Sequence, residues 1–136
     1  HATITYEPEV FEEKEKAANH LLSLGAKSVL LKGGHEEGEI KKDVLLSKCH
    51  GEGSQLIAHS SQLVSETIST NNVHGTGCTL SSAIAAFIAR GLSLEDAISE
   101  AKNYVTEAIR AGADINIGKG IGPVNHFFNP QKMIVL

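Results

Sequence analysis

The chain is expected to fold in the α/β class, and three observations carry that expectation. Ser28 to Lys32 is a short, unbroken apolar run ending at Gly33-Gly34. Runs of that kind suit a strand covered on both faces, as in a parallel sheet. Val73-His74-Gly75-Thr76-Gly77-Cys78-Thr79-Leu80-Ser81-Ser82-Ala83 places two glycines just ahead of an alanine-rich helical stretch. From Leu94 to Ile109, apolar residues recur at helical spacing.

In chain order, His1 to Tyr6 alternates Thr and Ile, which fits a short strand or an unstructured end. Pro8 and Glu12-Glu13 suit a helix start. Phe11, Ala18, Leu21 and Leu22 fall on one face of that helix, and Gly25 suits the residue after its end. Glu12 to Lys16 is a solvated charged face. Lys32 closes the first strand, and in open α/β sheets ligands bind beyond that edge. A solvated lysine at a strand end is the plainer alternative. Asp43 to Ser47 and Gln55 to His59 flank a polar loop, Lys48 to Ser54, and together read as a β-hairpin. Leu63 to Thr70 is a further strand candidate.

The central stretch has a physical reading of its own. Its glycines allow a tight turn, so that several N–H groups aim at one spot. The helix start adds roughly half a positive charge there. Together these make an anion site. Cys78 sits on the first helical turn, in a field that favours an anion. An oxyanion site beside a tunable acid/base suits phosphoryl or acyl transfer. A glycine turn capping a core helix, with a buried cysteine, remains the alternative on spacing alone.

The helix from about Gly77 to Arg90 carries Leu80, Ala83, Ile84, Phe87 and Ile88 on one face and small residues on the other. That pattern points to a central helix, ended by Gly91. Ser93 with Asp96 resembles a capping box. Leu94, Ala97, Ile98, Ala101, Val105, Ala108 and Ile109 then form one stripe, with Lys102 at its margin. A snorkelling lysine is the plain reading of Lys102. Ile115 to Phe128, with Gly118, Gly120, Gly122 and Pro123, reads as a loop and matches neither glycine-rich nucleotide fingerprint.

Composition narrows the field. A chain of 136 residues, 41% hydrophobic and 21% charged, can build a real core. Aromatics are only 4%, so aliphatic side chains must fill it. A net charge of −4 offers no basic field for nucleic acid. No apolar run is long enough to span a membrane. Cys49 and Cys78 are expected as reduced thiols of a cytoplasmic protein. The seven histidines show no metal-ligand spacing.

His74-Gly75-Thr76-Gly77-Cys78-Thr79-Leu80-Ser81-Ser82-Ala83 closely resembles the anion-hole signature of hydroxymethylpyrimidine/phosphomethylpyrimidine kinases, thiamine-pathway members of the ribokinase-like superfamily. Three more blocks match in order: Val29-Leu30-Leu31-Lys32-Gly33-Gly34-His35, Ala101-Lys102-Asn103-Tyr104-Val105, and Gly118-Lys119-Gly120-Ile121-Gly122-Pro123-Val124-Asn125-His126. The resemblance runs from about Ala17 to Phe128 and corresponds to the C-terminal half of such an enzyme.

The resemblance implies a partial ribokinase-like three-layer α/β/α sandwich, a mostly parallel sheet with a β-hairpin, and one half of a single kinase domain across residues 1–136. It implies ATP with Mg²⁺ as cofactors and a small pyrimidine as acceptor. The backbone of Gly75, Thr76, Gly77 and Cys78 would hold developing charge. Lys32 and Lys102 would meet ATP phosphates, and Cys78 would serve as base. The tail would close over the active-site side of the sheet. Sugar kinases of the superfamily carry Asp where this chain has Cys78, which favours the vitamin kinases. Val73 stands where the family's usual Thr precedes His, which loosens the substrate assignment. Pyridoxal-type and hydroxyethylthiazole kinases, and a non-catalytic fragment or binding module, remain alternatives. The N-terminal half is the expected partner, and half an open sheet leaves an apolar edge that favours a homo-oligomer. Nucleic acid and membrane are not expected partners.

Overall fold

The computed structural model describes residues 11–33, 40–50 and 56–130, omitting the side chains of 11, 12, 14, 49, 50 and 56–59. The expectations for His1 to Tyr6, Pro8, Gly34 and the loop between the hairpin strands lie outside the described residues. The chain divides into two compact units, His1–Thr67 and Ile68–Leu136.

The first unit holds helix α1 (Phe11–Ser23) and strands β1 (Ser28–Leu31), β2 (Ile40–His50) and β3 (Leu56–Glu66). Gly25 ends α1 with φ 105°, a conformation that glycine adopts without strain. The Lys48 ammonium donates to the Leu22 carbonyl at 2.5 Å, placing a cation at the negative end of the helix. Ala18 and Leu22 of α1 pack on Val29 and Leu31 of β1 and Val44 and Leu46 of β2. Each large aliphatic residue buried this way contributes about 1.5–3 kcal/mol.

The strands pair in the order β1-β2-β3, and both pairings are antiparallel. This differs from the mostly parallel sheet expected. Only residues 32–39 link β1 to β2, whereas a parallel crossover needs a dozen or more. Exposure in β1 also alternates along the strand, so the apolar run does not make a strand buried equally on both faces. The hairpin is longer than expected. Its ladder runs from Ile40↔Glu66 to His50↔Leu56, so Lys48 to His50 belong to a strand and Leu63 to Glu66 belong to β3. Ser60, Ser61 and Gln62 interrupt the apolar pattern, yet the ladder is made by main-chain groups that tolerate polar side chains.

The second unit is built on two packed helices, α2 (Thr76–Ala89) and α3 (Leu94–Gly112). Gly91, at φ 95°, ends α2. Its N–H bonds to the Ile88 carbonyl at 2.9 Å, and the Leu92 N–H bonds to Phe87 at 3.2 Å, the paired closure of a Schellman motif. Ala97, Ile98, Ala101, Val105 and Ala108 of α3 are buried, as the stripe predicts. On α2 only Leu80 is buried, and Ile88 is 40% exposed, so α2 is not the enclosed central helix that its apolar face suggests.

Ser93 caps α3. Its hydroxyl accepts the Asp96 N–H at 3.1 Å and donates to the Asp96 carboxylate at 2.6 Å. Asp is too short to reach back to the N-cap amide as Glu does in a full capping box, so it takes the hydroxyl proton instead. Residues 113–130 carry no helix or strand and fold back along α3. The Asn125 N–H donates to the Ala108 carbonyl at 3.0 Å, and Phe128 lies tilted against Tyr104 with centroids 5.2 Å apart.

Candidate functional site

The glycine loop ahead of α2 is shaped by one residue. Gly75 occupies the left-handed region at φ 87°, ψ −1°, and is the N-cap of α2 with no side chain to close the helix start. Helical amides at that end have no partner further back in the helix. The Thr76 N–H turns back to the Val73 carbonyl at 3.3 Å. Among the described residues, the amides of Gly75, Gly77 and Cys78 meet no protein acceptor. The donor set is thus narrower than the four residues expected, because Thr76 is already engaged.

The carbonyls of the same turn are well used. Thr79 brings its N–H to the Gly75 carbonyl at 2.9 Å and its hydroxyl to the same oxygen at 2.8 Å. The Ser81 hydroxyl reaches the Gly77 and Cys78 carbonyls at 3.2 and 3.0 Å. Each hydroxyl draws carbonyl density toward the body of the helix, while the amide ends stay open. The arrangement can receive an anion. No acidic residue lies in the first turn of α2 to oppose one. Cys78 is a free, exposed thiol, so the expectation of a buried structural cysteine does not hold there.

Lys102 lies on α3, half-buried, one position beyond the fully buried Ala101. Gly75, Thr76, Gly77, Cys78 and Lys102 all belong to the second unit. Lys32 belongs to the first, half-buried and immediately beyond β1. The next residue is held: the Gly33 N–H donates to Asp43 Oδ1 at 2.9 Å, and Asp43 is 5% exposed. This buried carboxylate fixes the backbone that follows Lys32. Sequence reasoning passed over it, although an acid beside Val44-Leu45-Leu46 was a visible signal.

One further residue escaped sequence reasoning, and another, Gly122, was named there without this role. Asn72, 9% exposed, and Gly122 brace the loop from behind. The His74 N–H donates to the Gly122 carbonyl at 3.0 Å, and His74 pairs with Pro123 in a parallel bridge. The tail, read from its residues as a loop and expected from the resemblance to close over the active-site side of the sheet, is the wall against which the glycine loop rests. Its glycines hinted at close packing, but nothing local named the partner.

Comparison with known proteins places this geometry. Residues 3–125 match the family model of phosphomethylpyrimidine kinase. The hydroxymethylpyrimidine/phosphomethylpyrimidine kinase of Rhizobium meliloti is 43% identical over 115 residues, covering 85% of this chain and 40% of that protein. A thiamine biosynthesis bifunctional protein of Geobacter sulfurreducens is 44% identical over 122 residues, covering 90% of this chain and 23% of that protein. Among solved structures, an ADP complex of Bacillus subtilis pyridoxal kinase superposes with a TM-score of 0.74 at 33% identity, over 89% of this chain and 42% of that one. The chain therefore spans at most about 40% of the length of these two curated relatives. A match reaching from residue 3 to residue 125, through the glycine loop, both lysines and the tail that braces it, means that the chain belongs to the phosphomethylpyrimidine kinase family.

Proposed function

We propose that this chain forms the C-terminal, nucleotide-facing part of a kinase that uses ATP to phosphorylate hydroxymethylpyrimidine and then its monophosphate, in thiamine biosynthesis. The observation that carries the reading is the set of unpartnered amides at Gly75, Gly77 and Cys78 beside an exposed thiol. Phosphoryl transfer asks a protein mainly for positioning and charge neutralisation. The amides supply fixed dipoles toward the equatorial oxygens of the transferring group. Lys32 and Lys102 meet the ATP phosphates.

In the first reaction the acceptor hydroxyl gives its proton to Cys78, acting as base, its oxygen bonds to the γ-phosphorus, and ADP leaves with the bridging oxygen. Mg²⁺ neutralises the phosphate oxygens when bound. Among the described residues no group of three or more His, Cys, Asp or Glu could hold a metal. Mg²⁺ commonly binds through substrate phosphates and one or two carboxylates, so it would enter with the nucleotide. The parent protein would have a ribokinase-like three-layer sandwich with a mostly parallel sheet, of which residues 1–136 are half of one domain. It would work in the cytoplasm on a small molecule, with the N-terminal half completing the pocket.

The test is acceptor-specific. A phosphate monoester has a second pKa near 6 and is already largely dianionic at neutral pH, so it has little need of a base. In the full-length protein Cys78→Ala should lower kcat/KM for the alcohol by on the order of 10²–10⁴, and for the monophosphate far less. Equal losses for both acceptors would make Cys78 a shaper of the anion loop. Preference for pyridoxal over hydroxymethylpyrimidine in the wild type would move the protein to the pyridoxal-type kinases, the weaker reading, which rests on the structural likeness alone.

A further inference from the structure

Asn72 stands two residues ahead of His74 with a buried carboxamide. Its Nδ2 donates to the carbonyls of Gly112 and Ile115, each at 2.6 Å, with the Ala113 carbonyl further off at 3.3 Å. A carboxamide nitrogen has two protons, and the two short bonds use both. The Ala113 carbonyl also receives the Thr70 hydroxyl at 3.1 Å, and that hydroxyl in turn accepts the Asn72 N–H at 3.1 Å. The carbonyls at and just beyond the end of α3 are thus met by two side chains, with Asn72 taking those of Gly112 and Ile115. A carboxylate of identical shape would set an oxygen against those carbonyls.

The other end of the same carboxamide touches the tail. A methyl group added at Gly122 would overlap the Asn72 oxygen and approach its Cβ to 3.4 Å. Gly122 needs no left-handed backbone, so the requirement for glycine is one of space. From Gly122 the path is direct: its carbonyl takes the His74 N–H at 3.0 Å, and the next residue is Gly75. Gly112 is tight as well, since a Cβ there would meet the Asn125 nitrogen at 3.0 Å. The helix end, Asn72, Gly122 and the anion loop therefore form one chain of contacts.

We propose that Asn72 is a positioning residue: through Gly122 it sets the aim of the Gly75, Gly77 and Cys78 amides toward the transferring phosphoryl group. The proposal rests on the phosphoryl-transfer reading of that loop. Loop amides that meet charge developing during transfer matter more to the transition state than to bound ATP. Displacing them should therefore cost kcat more than KM.

The experiment uses the full-length protein with Asn72→Asp, Asn72→Ala, Gly122→Ala and the double variant Asn72→Ala/Gly122→Ala. It reads kcat, KM for ATP, thermal midpoint, and the ¹H–¹⁵N shifts of Gly75 and Gly77. Asn72→Asp is expected to lower kcat by roughly 10- to 10²-fold, the scale of a misplacement near 1 Å, with KM for ATP within about twofold. The Gly75 and Gly77 signals should move. Gly122→Ala should do the same more mildly, and it carries the test if Asn72→Asp does not fold. In the Asn72→Ala background Gly122→Ala should add nothing, because the carboxamide it would strike is gone. Unmoved glycine signals with wild-type kcat and a lowered midpoint would overturn the proposal, leaving Asn72 a brace alone. Equal effects of Gly122→Ala in both backgrounds would also overturn it. If wild-type protein turns over no acceptor, the kinase reading fails, while the glycine shifts still decide whether Asn72 aims the loop.

Discussion

Cys78 and the two lysines divide the work of the proposed reaction between proton and charge. Replacing Cys78 by Asp imitates the sugar kinases and restores a base at the first turn of α2. Cys78→Asp is expected to keep more alcohol kinase activity than Cys78→Ala, measured as kcat/KM on the same acceptor. Lys32→Ala and Lys102→Ala should act on the nucleotide side. Each should raise KM for ATP or lower kcat by the equivalent of about 1.5–3 kcal/mol, the worth of a hydrogen bond to a charged group. Binding of the free pyrimidine, followed by calorimetry, should change little. Wild-type kinetics in both variants would return the lysines to strand-end and snorkelling roles. At this scale the candidate residues could be named one by one, because each sits in a short motif. Asp43 and Asn72 were not, because a polar residue shows its purpose only through the groups it faces.

The two helix starts of the second unit are built differently, and the difference predicts different mutant behaviour. Ser93 caps α3 with its own hydroxyl. Ser93→Ala should cost about 1 kcal/mol of stability, the usual value of an N-cap, with kcat and KM unchanged. Gly75 caps α2 by conformation alone, at φ 87°. Gly75→Ala forces an L-residue into the left-handed region, at about 1–2 kcal/mol, and should also lower kcat because the loop amides move. Thermal melts beside steady-state kinetics separate the two. Kinetic loss in Ser93→Ala, or none in Gly75→Ala, would contradict this division. Helix extents were close to those read from periodicity and caps, since both signals are local. The hairpin was underestimated because its outer residues are polar and pair through the main chain.

The whole molecule raises the question of what this length of chain can do alone. Ile88, Ile115, Ile117, Ile121 and Phe127 are all exposed by 40% or more. The chain spans about 40% of the Rhizobium meliloti relative. The 136-residue chain by itself is expected to turn over no hydroxymethylpyrimidine, whereas the full-length protein is expected to do so. Measurable turnover by the short chain would sink that expectation. The same exposed surface should drive it to self-associate, visible as a concentration-dependent mass in sedimentation.

The sequence by itself determined the α/β class, the family, the glycine loop ahead of α2 with its cysteine, and the helices, because each depends on neighbours within a few positions. Tertiary structure decided the rest. Strand sense depended on which segment β1 met across residues 32–39. The bracing of the loop depended on Asn72 meeting carbonyls 40 and 43 positions further along the chain. Hydrogen bonds at that separation leave no periodic trace in a sequence. They are specified by where the helix end and the tail come to rest, and only the folded chain brings those groups together.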